Sequence, residues 1–223
     1  MDRFIDISAT INSHLVLWPG HPAIESRRMR DMDKGDDCNV SICSFCAHVG
    51  THVDSPKHFF LDGEGVESIP TDGLIGRAFV ADLTHVEKGI SKDDLLFLRK
   101  RKDFDILLMK TRNSTQKRTW DQFDPTYIYL EPDGAEFILE CGMKGIVIDC
   151  LGINEFEDAR QSTHKILLRE NRIAVIEGVD LRYVEPGSYF FICLPIKLEG
   201  SDGAPARAIL IRPEEFRAWG GIA

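Results

Sequence analysis

The chain has 223 residues, 43% of them apolar and 28% charged, and carries a formal charge of −9. That length suits one domain with a core large enough to need no staples, and the composition is that of an ordinary globular protein. The acidic balance argues against a nucleic-acid surface or an anionic membrane as partner, and no stretch approaches the roughly 20 apolar residues of a membrane span.

Taken from the N-terminus, Met1-Asp-Arg-Phe-Ile-Asp has acids too early for a signal peptide, so a cytoplasmic protein is expected. The six cysteines (38, 43, 46, 141, 150 and 193) should then be free thiols. Cys43-Ser-Phe-Cys46 has no second pair to make a zinc ribbon, and its strand-like flanks suggest buried, inert cysteines. Short runs rich in Val, Ile and Phe predict strands at Phe4–Ile7, Val40–Ala47, Ala78–Leu83, Ile106–Lys110, Gly145–Cys150, Ile173–Ile176, Tyr189–Leu194 and Arg207–Ile211. Helices are expected from Ser91, whose cap-type side chain precedes Leu95, Leu96 and Leu98, at Asp133–Cys141 and Ser162–Glu170, and in a last short segment Glu214–Trp219. Arg99-Lys-Arg-Lys102 reads as the solvated last turn of the first helix. Strands outnumber helices and the order is mixed, which predicts one α/β domain over 1–223 with a mixed or barrel-like sheet. No Gly-rich phosphate loop is present.

The densest chemistry lies in His48-Val-Gly-Thr-His52-Val-Asp54-Ser-Pro-Lys-His58, where three of the seven histidines and one carboxylate fall within eleven residues. His52 and Asp54 are two apart, so an extended backbone projects both to one face. Gly50 lets the chain bend and bring His48 to the same point. Imidazole nitrogens with a carboxylate oxygen suit Zn²⁺ or Mn²⁺ better than Ca²⁺ or an iron–sulfur cluster. Structural zinc sites usually close with four ligands rich in cysteine, whereas histidine and carboxylate are the chemistry of open, water-bearing sites.

This segment resembles the signature His-x-Gly-Thr-His-x-Asp-x-Pro-x-His of the cyclase family of metal-dependent hydrolases, which includes bacterial kynurenine formamidase and isatin hydrolase. Leu17-Trp18-Pro19-Gly20 is similar to the family's Trp-Pro-Gly turn. His164-Lys-Ile-Leu-Leu followed by Ala174-Val-Ile-Glu177 resembles its further metal-ligand segment, and Gly200-Ser-Asp-Gly-Ala-Pro-Ala-Arg207 its C-terminal loop. Two stretches depart from formamidases: His21 stands where they carry an acid, and Asn154 to Ser162 does not match closely. Both bear on substrate more than on chemistry.

The resemblance implies a swivelling β/β/α fold, a homodimer or homotetramer, and His164 and Glu177 as ligands beside His48, His52 and Asp54. Taken alone, His164 is an ordinary surface residue on the first turn of its helix, with Ser162 or Thr163 as cap, and Glu177 a solvated strand end. Five ligands accommodate one metal, or two with Asp54 as bridge, His48 and His52 on one and His164 and Glu177 on the other. A bound metal lowers the pKa of its water towards about 7 and supplies hydroxide to a carbonyl carbon. His58 is then the candidate acid–base group, with a further ligand as the alternative. Trp18 is a candidate substrate-stacking residue, or a surface aromatic covering a neighbouring subunit; Phe59, Phe60 and His21 are weaker pocket candidates. The expected activity is hydrolysis of a C–N bond in a small aryl formamide or cyclic amide. N-formylkynurenine, which would place the enzyme in tryptophan catabolism, is named first, then isatin-like amides and lactones. A metal-binding protein without turnover and a structural-zinc module are the readings from other classes.

Overall fold

The computed structural model describes residues 3–115 and 122–218. These described residues form twelve strands: β1 (Phe4–Asp6), β2 (Glu25–Arg30), β3 (Val40–Ser44), β4 (His52–Asp54), β5 (Ile75–Asp82), β6 (Gly89–Ile90), β7 (Ile106–Lys110), β8 (Tyr129–Leu130), β9 (Gly145–Ile148), β10 (Ala174–Glu177), β11 (Gly187–Pro195) and β12 (Gly203–Ile211). The main sheet runs β1-β12-β11-β5-β7-β9-β10-β4, and β4 also pairs with β12. Seven strands thereby close into a barrel. β12 makes this closure because it is long: β4 takes Gly203–Pro205, while β1 takes Ile209–Ile211 on the same edge. The pairings β5–β7–β9–β10 are parallel and the rest antiparallel, so the sheet is mixed and the fold α/β, as its strand-rich order predicts.

Strands β7, β9 and β10 are buried on both faces, which is why they read as continuous apolar runs. Alternation sorts their side chains into two cores. Ile106, Leu108, Val147 and Ile176 face inward with Val53, Phe191 and Leu210. Leu107, Met109, Ile146 and Val175 face outward under the helices Pro132–Glu140 and Ser162–Leu168, which present Ala135, Phe137, Ile138, Leu167 and Leu168. Pro132 opens the first of these helices, where its missing N–H costs nothing.

Several expectations are corrected. The segment after Ser91 is a 3₁₀ helix, Asp93–Arg99, begun by the Asp94 carboxylate accepting from Ser91 N and Oγ at 2.8 and 2.6 Å. Arg101 does not dangle in solvent; its guanidinium lies 3.9 Å from the centre of the Phe79 ring and pairs with Asp103. Val40–Ala47 ends as a strand at Ser44 and pairs only with the unforeseen β2 in a ribbon whose residues are almost all exposed. Cys38 and Cys43 are exposed there and Cys46 is half-buried, so the C-x-x-C thiols are not buried, although all six cysteines are free. The last helix is Pro213–Ala218; Trp219 lies outside the described residues. Among the described residues no helix is long and apolar enough to cross a membrane.

Candidate metal centre

β4 delivers His52 and Asp54 from one three-residue strand, and its neighbours deliver the rest. In the antiparallel register Glu177 of β10 lies opposite His52, and Gly203 of β12 lies opposite Asp54. Gly50 adopts φ +58°, a left-handed turn that suits glycine and brings His48 back over the strand. Gly203 leaves room for that ring, since a Cβ there would sit 2.8 Å from His48 Cε1. His164 comes from the helix Ser162–Leu168, and His58 from a single 3₁₀ turn opened by Pro56.

These side chains converge. His48 Nδ1 is 2.8 Å from Asp54 Oδ1, and His52 Nε2 is 3.4 Å from both Asp54 Oδ1 and Glu177 Oε2. His164 Nε2 is 3.0 Å from Glu177 Oε1 and 3.4 Å from Asp54 Oδ2. The His52 ring is fixed from behind by the Gly50 carbonyl at 2.9 Å from Nδ1, and Glu177 Oε1 accepts from Ile153 N at 2.6 Å. His52, Asp54, His164 and Glu177 are all buried. Two buried carboxylates this close are costly without positive charge.

Burial alone would push the Asp54 carboxyl up, but the neighbouring His48 charge and hydrogen bonds from His164, His48 and His52 hold it well below the usual range. Glu177 is pushed up by burial and by Asp54, yet contacts from His164 and His52 leave it lowered. The imidazoles respond in kind. Burial works against protonation of His48, His52 and His164, and the carboxylates outweigh it: His48 and His52 are raised, and His164 lies at about 9. His58 differs, since burial dominates and takes it down to about 4. Its ring stacks on His48 with centres 4.0 Å apart and meets Phe59 edge-on at 4.1 Å.

The residues present fit a divalent cation. Asp54 Oδ2 is buried and makes no well-formed hydrogen bond, with His164 Nε2 standing 3.4 Å away, so lone-pair capacity is left over inside the cluster. Two sets of three donors, His48–Asp54–His58 and His52–Asp54–Glu177, each have ligand atoms within 4.8 Å of one another and share Asp54. Asp54 is common to both sets, which join it to His48 and His58 and to His52 and Glu177. The helix start differs from that expected. Ser162 and Thr163 do not cap it; Gln161, at φ 53°, precedes it, and the Asp158 carboxylate accepts from Ser162 N at 2.8 Å.

The cluster floors a cavity of about 290 Å³ lined by Trp18, His21, Phe59, Leu151, Gly152 and Gln161 besides the histidines and Glu177. His14 and His85 do not line it, nor does Phe60, which sits under Arg169. The Trp18 indole is packed among Phe123, Phe156 and Tyr127 at 5.3, 5.4 and 6.2 Å, so it belongs to the aromatic wall rather than standing free on its turn. Gly152 makes this fit, because a Cβ there would lie 2.8 Å from Trp18 Cζ3. Asp202, Gln161 and Leu151 carried no role in the sequence. Asp202 Oδ2 lies 2.9 Å from His48 Nε2 and 3.8 Å from His58 Nδ1.

The profile of the family described as "Putative cyclase" matches residues 5–155. Kynurenine formamidase of Bacillus cereus is 30% identical over 211 residues, covering 95% of this chain and 98% of its own. Cyclase-like protein 3 of Arabidopsis thaliana is 30% identical over 218 residues, covering 94% and 80%. A solved potential metal-dependent hydrolase with cyclase activity superposes with a TM-score of 0.79 at 33% identity, over 93% of this chain and 96% of that one. Isatin hydrolase A from Labrenzia aggregata, at 17% identity and a TM-score of 0.77 over 94% and 93%, shares the fold.

Proposed function

The chain belongs to the cyclase family, and from that premise we propose that it is a metal-dependent amidohydrolase cleaving the C–N bond of a small aryl formamide or cyclic amide. A hydrolase dependent on a divalent metal is what the relatives and the donor cluster support; the substrate and the metal's identity are our own assignment. The observation that carries it is the buried Asp54 oxygen that makes no well-formed hydrogen bond, held beneath the imidazoles that floor an aromatic-walled cavity. His48, His52, Asp54, His164 and Glu177 would hold Zn²⁺ or Mn²⁺, one or two per chain, for which this N/O set is suited. The metal would supply Lewis acidity toward a carbonyl oxygen and a lowered pKa for water.

The protein's own groups do the rest. His58, stacked on His48 and kept from protonation by burial, is our candidate to take a proton from attacking water and return it to the leaving nitrogen. Trp18 and Phe59 wall a slot for a flat ring, and burial of Glu177 and His52 beneath keeps water from competing for their lone pairs. A second assignment has support of its own: the grouping of His48, Asp54 and His58 would make His58 a ligand. N-formylkynurenine is the first substrate to try, which would place the enzyme in tryptophan catabolism; isatin-like amides and lactones follow. We further assign one domain over 1–223, a cytoplasmic location and a homodimer or homotetramer.

The test is metal analysis of protein supplied with Zn²⁺ and then Mn²⁺, followed by kcat/KM on N-formylkynurenine, isatin and an aryl lactone. Metal near one or two equivalents with turnover of an amide supports the proposal. Less than about a tenth of an equivalent would overturn it. Full metal with turnover of the lactone alone would overturn the amide assignment.

A further inference from the structure

The loop between β11 and β12 is tied to the metal-binding motif more firmly than barrel closure requires. Ser55, next to Asp54, donates its N–H to the Asp202 carbonyl at 3.0 Å and its hydroxyl to the Ser201 carbonyl at 3.0 Å. Val66 N also donates to the Ser201 carbonyl, at 2.9 Å, and Gly200 N to Glu67 Oε2 at 3.0 Å. These bonds use the loop's backbone and leave the Asp202 side chain free to turn inward. It does so, reaching His48 Nε2 at 2.9 Å, while the opposite ring nitrogen of His48 faces Asp54 Oδ1 at 2.8 Å. The stacked His58 ring presents its Nδ1 3.8 Å from the same Asp202 oxygen.

We propose that Asp202 is a positioning residue for this centre: its carboxylate accepts from His48 Nε2–H, turns Nδ1 toward Asp54, and holds the stacked His58 ring against the cavity. The physics is general. A ligating imidazole has two nitrogens, and the bond made by one fixes which is free to ligate and where it points. Among the described residues Asp202 is the one polar partner of His48 Nε2. Asp202 is half-exposed, at 49% for its side chain, so replacing it removes a directing contact without opening a buried hole. The proposal rests on the metal-dependent hydrolase assignment above.

Asp202→Ala and Asp202→Asn test it, read against Asp202→Glu. Metal affinity, measured by competition with a chromophoric chelator, should fall roughly 10–100-fold in the Ala and Asn variants. kcat should fall by a similar factor with KM within about twofold, because the cavity wall is untouched, and the Glu variant should recover part of both. In ¹⁵N-edited spectra the His48 Nε2–H resonance, protected in the parent chain, should exchange fast with water in the variants. Unchanged affinity with an unchanged His48 resonance in Asp202→Ala would overturn the proposal. So would equal losses in the Ala, Asn and Glu variants, since that marks a loop defect and not a directed contact. If Asp202→Ala does not fold by circular dichroism, Asp202→Asn, which keeps the shape, supplies the same readouts. Should the parent chain take up no metal, the functional assignment fails, and the His48 resonance in the metal-free protein still decides the role of Asp202.

Discussion

Asp54 is the residue on which the cluster turns. It touches His48, His52 and His164 from one buried position, and both candidate donor sets include it. Asp54→Asn keeps the volume and removes the charge, so it should strip more metal than any other single change, read as metal per chain after gel filtration; retention of a full complement would show that the cation lies elsewhere. His58→Ala should keep its metal and lower kcat by about 10²–10⁴, the usual share of acid–base catalysis. Loss of metal instead would make His58 a ligand. At this scale the sequence was legible wherever donors shared one short segment, because alternation on β4 places His52 and Asp54 together and Gly50 returns His48. The loop holding Asp202 was picked out by resemblance, but the residue's role was not, because a lone acid in a Gly-Ser loop looks like any solvated turn, and its partner is created only when β12 closes onto β4.

The helix Ser162–Leu168 shows how an element is held for the sake of one residue. Gln161 enters it in a left-handed conformation uncommon for residues other than glycine, and no side chain caps its first turn from within. Asp158 substitutes: its carboxylate takes Ser162 N at 2.8 Å and Arg160 N at 2.9 Å, and these bonds, Ser162's above all, hold its pKa at about 2. Asp158→Ala should cost about 1 kcal/mol, the usual price of a lost cap, seen as a lower Tm. The parent's advantage, complete above pH 4, should vanish as pH falls through about 2, because an acid with a lowered folded pKa stabilises only while ionised. Strands were legible when buried on both faces: Ile106–Lys110 coincides with β7. The ribbon strand β2 was not, since Glu25, Arg27, Arg28 and Arg30 give no apolar pattern when every residue is exposed. β6 and β8 are two residues each, too short for any period to register.

For the molecule as a whole, pH and metal should act in opposite directions on stability. Without metal, the ion pairs of His164 with Asp54 and Glu177 raise its pKa to about 9. That contribution is complete below about 6.5, the value of an unfolded imidazole, and is lost as pH rises through about 9. Chelated protein should therefore lose thermal stability over that window. Loaded protein should not, because a cation takes the proton's place and binds more tightly as the imidazoles deprotonate. Scanning calorimetry with and without chelator at pH 6.5, 8 and 9 measures the gap in Tm, which should widen. A constant gap would show that the imidazoles are not the groups displaced. A mixed or barrel-like sheet was anticipated from strand order, while its closure was not, because nothing in the local pattern of Gly203–Pro205 announces pairing with a three-residue strand in the first quarter of the chain.

That closure has a kinetic consequence. Pairing β4 with β12 brings together partners far apart in the chain, and such non-local contacts are the slow ones to form, since the connecting loop's entropy is lost before the contact repays it. The donor set is complete only once β4 lies between β10 and β12. A cation should then find its full set of donors late in folding. It should leave the refolding rate nearly unchanged and slow unfolding, as interactions absent from the transition state do. The metal would act as a latch on the finished barrel and not as the nucleus around which the barrel forms.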